Sequence, residues 1–339
     1  MSSILIPSLY STARQYEYYS TVVVFTVGIF SDLSNIIVFL TLRCFRRNQS
    51  AFYFTTEMIS NIGLFLAIFP VYFYRTTTGI DLARSSLIWC KINNGLSGSF
   101  GLCSLYTICF QTLDQFLSTN PRPSYRQISS LKLAHRSILC IVCFVILHSV
   151  PFMILTGIQS SGSCDISSDA VNSYNTYFYY PILSSALPLV IAVTFSSLAY
   201  RNVRRIVRRQ IPVVRRRLDR QLTLMVLTRV VSLILLGLPY IIYSIYRLKL
   251  RATDDNQFEM AVASLTGAIV YSLLYLNFAT SFYLFLIVSS RFRRQVKQGI
   301  VKKCWTWLLS LCQRDNMGRS RNQINPEMAH GTVSDVESI

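Results

Sequence analysis

Four chargeable side chains interrupt the longest apolar runs of this 339-residue sequence: Asp32, Glu57, Asp114 and Arg229. A charge in such a run is costly unless another group pairs with it or neutralises it, so each marks a functional position by default. Asp32 stands three residues before Asn35 and Glu57 four before Asn61, so at helical spacing each acid shares a face with its amide. Such pairs can hold a proton, a hydrogen bond between helices or a small cation; the expected arrangement is neutral carboxyl groups hydrogen-bonded between helices. Ser97, within Gly95-Leu96-Ser97-Gly98, and His148 are the one serine and histidine that could act as a nucleophile and its base. The three histidines (His135, His148, His330) are isolated and none of the nine cysteines has a metal-site spacing, so no cofactor is called for.

These residues sit in a chain that is 52% hydrophobic and 14% charged, with mean hydropathy +0.40. That composition puts too much apolar matter on too little polar surface for a soluble globule. Lys plus Arg number 33 against 15 Asp plus Glu, but the basic residues lie between the apolar runs, which argues against nucleic-acid binding, a secreted disulfide scaffold or a soluble Rossmann-type enzyme. A helix needs about 20 apolar residues to cross a bilayer, and seven runs qualify: 19–42, 52–74, 89–117, 134–158, 178–200, 222–246 and 260–288. The third is the most polar, so its neighbours should shield it from lipid. No window alternates as a strand, and a membrane β-barrel would need many that do.

Nine arginines between Arg201 and Arg220, nine basic residues after Ser290, Arg43, Arg46 and Arg47, and the group Arg122, Arg126, Lys132 and Arg136 share one side; the other holds Arg14, Arg75, Arg84, Arg247, Lys249 and Arg251. The excess puts the N-terminus outside and the C-terminus inside, with the first span as an uncleaved insertion signal. Cys90 and Cys164 are the two cysteines on the oxidising side, which favours a disulfide between them. The expected organisation is an extracellular N-terminus (1–18), a seven-span helical bundle (19–289), an amphipathic interfacial helix (290–312) with Cys304 and Cys312 as palmitoylation candidates, and a disordered cytoplasmic tail (313–339). Arg229, ten residues before Pro239 and near the inner end of its span, is expected to snorkel to the interface.

Several residues punctuate the spans at set distances. Asn35 lies in Ser34-Asn35-Ile36-Ile37-Val38; Pro70 follows Asn61 by nine residues; Asp114-Gln115-Phe116 begins twenty-four residues after Cys90; and Pro151, Pro188 and Leu238-Pro239-Tyr240 mark spans four to six. Span seven ends Ser281-Phe282-Tyr283-Leu284-Phe285, with Phe292-Arg293 beyond. This pattern resembles the rhodopsin-like (class A) G-protein-coupled receptors over about Tyr19 to Ile300, and is similar to divergent invertebrate FMRFamide and neuropeptide-type receptors. Asn61 replaces the family's Asp, Gln115 the Arg of Asp-Arg-Tyr, Gly237 the sixth-span Trp, Ile141 the fourth-span Trp, and Ser281, Phe282 and Phe285 the Asn, Pro and Tyr of span seven.

The resemblance implies a plasma-membrane receptor, not an enzyme, with an extracellular peptide or small-molecule ligand and a heterotrimeric G protein as partners, and arrestin and anionic lipids beside them. The implied ligand-binding residues are Tyr72, Arg75, Asn94, Ser97, Tyr180, Ser184, Tyr240, Tyr243, Arg247, Tyr271 and Tyr275. Ser97 stands where amine receptors hold Asp, and Arg75 and Arg247 could pair with a carboxylate. The family's sodium-binding places match Ser104 and Asn277, so with Asn61 neutral an ion site would borrow charge from Asp32 or Glu57; with Asn35 and Ser281 these form the expected intramembrane network. Coupling falls to Asp114, Gln115, Phe116, Asp219, Arg229 and Phe285. Without an arginine at 115, the span-six acid Asp219 lacks its usual partner, and a raised basal population of the open state is expected. The rival readings are a transporter, suggested only by the buried charges, and a rhomboid-like intramembrane protease, which Gly95-Leu96-Ser97-Gly98 with His148 resembles.

Overall fold

A computed structural model of the chain describes residues 2–42, 45–46, 48–79, 82–159, 164–206, 213–251 and 257–298. The long helices are α1 (Ser2–Thr41), α2 (Gln49–Thr78), α4 (Leu87–Ser118), α6 (Leu131–Leu155), α8 (Leu187–Ile206), α9 (Val213–Arg251) and α10 (Gln257–Ala279). Short pieces join them: α3 (Leu82–Ser85), α5 (Pro123–Ile128), the strands β1 (Thr156–Ile158) and β2 (Cys164–Ile166), α7 (Asp169–Tyr174), a π-helical segment Asn175–Ala186, and α11 (Ser281–Val288). Six helices among the described residues are long and apolar enough to cross a membrane. The other long one is α4, and its polarity has the expected reason: Ser104, Thr107, Gln111, Thr112, Asp114 and Gln115 are all buried.

The helices close a bundle in which α1 packs on α2 and α10, α8 on α9 and α9 on α10, while α4 meets α2, α6, α8 and α9. Charged groups point inward and apolar ones outward. Leu147, Ile154, Leu235 and Ile287 are 64–75% exposed, while Asp32, Glu57 and Arg229 are wholly buried, the polarity that a hydrocarbon solvent requires.

Local sequence sets the helix ends. Asn48 caps α2 by accepting from the Ser50 and Ala51 amides, and Gly79 ends it at φ 76°, a conformation that suits glycine. Ser86 and Ser130 cap α4 and α6 in the same way.

Four boundaries differ from expectation. α1 starts at Ser2, seventeen residues before its apolar run, because tertiary bonds hold the extension: Tyr16 Oη lies 2.8 Å from Ser272 Oγ, Arg14 donates to the Arg75 carbonyl (3.0 Å), and Glu17 pairs with Arg75 (3.1 Å). The fourth run is helical only to Leu155; Thr156–Ile158 instead forms an antiparallel pair with Cys164–Ile166, with Gly157 opposite Asp165. β-branched Thr156 and Ile158 suit a strand, and the hairpin is too short for an alternating pattern to show in sequence. The fifth run opens as a π-helix around Pro181, which cannot donate an amide bond. The Ser184 and Ser185 hydroxyls donate to the Tyr180 carbonyl there. The seventh run breaks at Thr280, and beyond it the Phe282 amide donates to Ser31 Oγ at 3.1 Å.

Residues 290–298 are helical; the remainder of the expected interfacial helix, with Cys304 and Cys312, and the 313–339 tail lie outside the described residues, as does the side chain of Asp219.

Candidate functional site

Side chains from six helices meet at the centre of the bundle. Arg229 on α9 donates from Nε to Glu57 Oε1 on α2 at 2.8 Å and from Nη2 to the same oxygen at 2.5 Å. Its Nη1 donates to the Asn277 carbonyl at 2.8 Å and to Asn277 Oδ1 at 3.2 Å on α10. Ser232 adds a bond to Asn277 Oδ1 (3.1 Å). Beside this group Ser104 on α4 donates to Asn61 Oδ1 (2.6 Å), and Asn61 donates to the Phe278 carbonyl (3.3 Å). Asn35 on α1 donates to Ser281 Oγ (2.9 Å), which lies 3.5 Å from Asp32 Oδ1. The Glu57 and Arg229 side chains are both fully buried. Each charge alone would be very costly at this depth; together they neutralise one another, and Asn277 takes the Nη1 donors, while Glu57 Oε2 has no hydrogen-bond partner among the described residues.

Toward the N-terminal end of α4 a cavity of about 430 Å³ opens among α2, α4, α6, the π-helical segment, α9 and α10, and β2 supplies three consecutive wall residues, Cys164, Asp165 and Ile166. Cys164 is bonded to Cys90, with the two Cα atoms 5.8 Å apart, which fixes the strand against α4. Tyr72, Tyr179, Tyr180, Tyr240, Tyr271 and Tyr275 make much of the wall, with the Tyr240 and Tyr271 rings 5.6 Å apart and those of Tyr271 and Tyr275 6.4 Å apart. A side pocket of about 90 Å³ shares Tyr180, Tyr240 and Tyr271 and adds Tyr243, Ser244 and Arg247.

At the other end of α4, Asp114 accepts from Ser129 Oγ (2.6 Å) and Ser50 Oγ (3.5 Å). Gln115 donates to Ser50 Oγ on α2 and accepts from Thr223 Oγ1 on α9 at 2.9 Å. Three helices are thus joined by neutral hydrogen bonds where an arginine would have made charged ones. Nearby, Phe285 packs against Phe39, Phe54 and Phe292 with centroids 5.0–6.4 Å apart.

The family model described as the 7 transmembrane receptor (rhodopsin family) matches residues 34–278. The chain belongs to that family. Among curated proteins none matches it. The match spans both cavities, the Asp114–Gln115 knot and the central polar group apart from Asp32 and Ser281 of this rhodopsin-family receptor.

Most of the sequence-derived residues converge. Tyr72, Asn94, Ser97, Tyr180, Ser184, Tyr240, Tyr271 and Tyr275 line the main cavity, and Tyr243 and Arg247 the side pocket. Arg75 lines neither, because its guanidinium is engaged by Glu17. Asp32, Asn35, Glu57, Asn61, Ser104, Asn277 and Ser281 gather in the centre as a network. Two expectations are corrected there. Arg229 does not snorkel: it is fully buried and reaches across to α2. Glu57 is not a carboxyl group bonded to neutral partners but the counter-charge of Arg229, so its charge is already taken by a tethered cation. The signal was present in part, as one cation and three acids in separate apolar runs, since opposite charges at such depth commonly pair.

Asn93, His148, Asp165 and Tyr179 were missed in the cavity wall, as were Ser50, Ser129 and Thr223 in the knot. Short hydroxyl and amide side chains are too common in helices to stand out without knowledge of which faces meet. Ser97 and His148 line the same cavity, but Ser97 donates to the Asn93 carbonyl (2.6 Å) and His148 meets Tyr174 Oη (3.2 Å). Neither bond joins them as nucleophile and base.

Proposed function

We propose that this receptor lies in the plasma membrane with its N-terminus outside, takes an extracellular ligand into the tyrosine-lined cavity, and activates a heterotrimeric G protein at the Asp114–Gln115 end. The Lys and Arg excess in the loops supports the orientation. One observation carries the rest: a 430 Å³ cavity walled in part by a disulfide-tethered strand stands at one end of α4, and a neutral α2–α4–α9 knot stands at the other. Ligand contacts at the first end bias how α9 packs, and α9 carries that bias to the second. The volume and the rings suit a short peptide or a small molecule with aromatic or hydrogen-bonding groups, in keeping with a neuropeptide-type receptor. Asp114, Gln115, Phe116, Asp219 and Phe285 belong to the coupling end, where arrestin would also dock, and the Arg201–Arg220 stretch holds anionic lipid.

A second-messenger screen of peptide and small-molecule libraries in cells expressing the receptor tests this reading. An agonist so found should lose tenfold or more in potency with Tyr271→Ala or Tyr240→Ala at unchanged surface expression. Full potency in both variants would place the ligand elsewhere.

A further inference from the structure

The charges around the two pockets are few and separated. Asp165 is the one residue with a formal charge in the wall of the main cavity among the described residues. Only one of its oxygens is engaged, Oδ1, which accepts from the Ile166 amide at 2.8 Å. The strand that holds it is pinned twice, by the Cys90–Cys164 bond one residue away and by the pairing of Asp165 with Gly157. Other polar groups of this wall add acceptor character: Asn93 Oδ1 is buried in the protein without a hydrogen-bond partner, and Ser97 spends its hydroxyl proton on a backbone carbonyl.

The side pocket has the opposite sign. Among the described residues its one formally charged lining residue is Arg247, an exposed side chain beside Tyr243, Ser244 and Thr176. Among the described residues, three other basic groups toward this end of the bundle are engaged elsewhere: Arg75 on Glu17, Arg14 on the Arg75 carbonyl, and Lys91 on the Ile154 carbonyl at 3.1 Å. Tyr180, Tyr240 and Tyr271 belong to both walls, so the acidic and basic compartments are continuous across an aromatic band.

We infer that the ligand is bipolar, with a cationic group held by Asp165 in the main cavity, an anionic group held by Arg247 in the side pocket, and an apolar or aromatic body against the shared tyrosines. A carboxylate on Arg247 alone would leave Asp165 without a counter-charge, and an amine on Asp165 alone would leave Arg247 without one. Unpaired polar groups at a binding surface cost affinity, so a ligand carrying both charges, such as a short peptide with free termini or side chains of opposite sign, fits best. This rests on the receptor reading only in taking the cavity as the ligand site.

Charge-selective thiol labelling tests it without a known ligand or a signalling readout. Ser97→Cys places a thiol in the main cavity and Ser244→Cys one in the side pocket; the two serines bond preceding backbone carbonyls of their own helices. Purified protein in detergent is treated with a trimethylammonium or a sulfonate methanethiosulfonate. The thiolate attacks the reagent's divalent sulfur, forming a mixed disulfide and releasing methanesulfinate. Each rate, corrected for the protein without the added cysteine, is divided by the same reagent's rate with a small free thiol. We expect the cationic reagent to be favoured at Ser97→Cys and the anionic one at Ser244→Cys, each by about fivefold or more. Asp165→Asn should abolish the first preference and Arg247→Gln the second. The same preference at both positions, preferences that survive the two substitutions, or no labelling at either position overturns the proposal. Failure of the receptor to signal would leave these ratios intact, so the two readings fail separately.

Discussion

Arg229 and Glu57 are each the solution to the other's burial. Removing one partner leaves a charge in the bundle centre with no water to take its place, so Glu57→Gln should cost about 3–5 kcal/mol of stability, seen as a large drop in the thermal midpoint of the detergent-purified receptor. The pair Glu57→Leu with Arg229→Met should recover most of that loss, since apolar groups of similar volume need no counter-charge. A single variant as stable as the parent would mean that the ion pair is not the central tie. Part of this site was legible beforehand. The spacing Asp32–Asn35 and Glu57–Asn61 put acid and amide on one face, and all four residues do gather. Which acid took the guanidinium was not legible, because it depends on the reach of α9 toward α2, a tertiary fact that helical period alone does not contain.

Among the elements, α4 ties the two ends together. At its C-terminal end the Thr223–Gln115 bond replaces a charged contact with a neutral one, and a neutral hydrogen bond contributes about 1 kcal/mol. Thr223→Val should therefore raise the open population about fivefold, measured as ligand-free second-messenger output at matched surface expression; an unchanged basal signal would remove this bond from the resting lock. The expectation of a released α9 thus becomes a smaller one, since Gln115 keeps a partner on that helix. At its N-terminal end α4 holds β2 through Cys90 and Cys164, which lie 74 residues apart. A loop of that length gives about 4.5 kcal/mol by chain entropy, so Cys164→Ser should lower the thermal midpoint and weaken ligand binding together. Mass spectrometry of the non-reduced receptor should recover the linked peptides, and free thiols at both positions would contradict the cavity wall as described. The existence of the long helices was readable from apolar runs. Their ends were less so, because the α1 extension is held by bonds to α2 and α10, and the breaks at Pro181 and Thr280 are absorbed by serine hydroxyls of the same or a neighbouring helix.

For the whole molecule, the family match and the bundle agree on a receptor whose usual charged switch is thinned: neutral Asn61 and Gln115 stand where charges are expected, and the charge moves to Glu57 and Arg229, one on α2 and one on α9. In the proposed function this altered interior still connects a ligand cavity to a G-protein site. Guanine-nucleotide exchange on purified heterotrimeric G proteins tests it most directly, with the receptor reconstituted in lipid nanodiscs and wild type compared with Thr223→Val. Ligand-free exchange should exceed that of empty nanodiscs on at least one G-protein class and rise about fivefold in the variant. Exchange by neither protein on any class, with the Cys90–Cys164 bond verified intact, would contradict it.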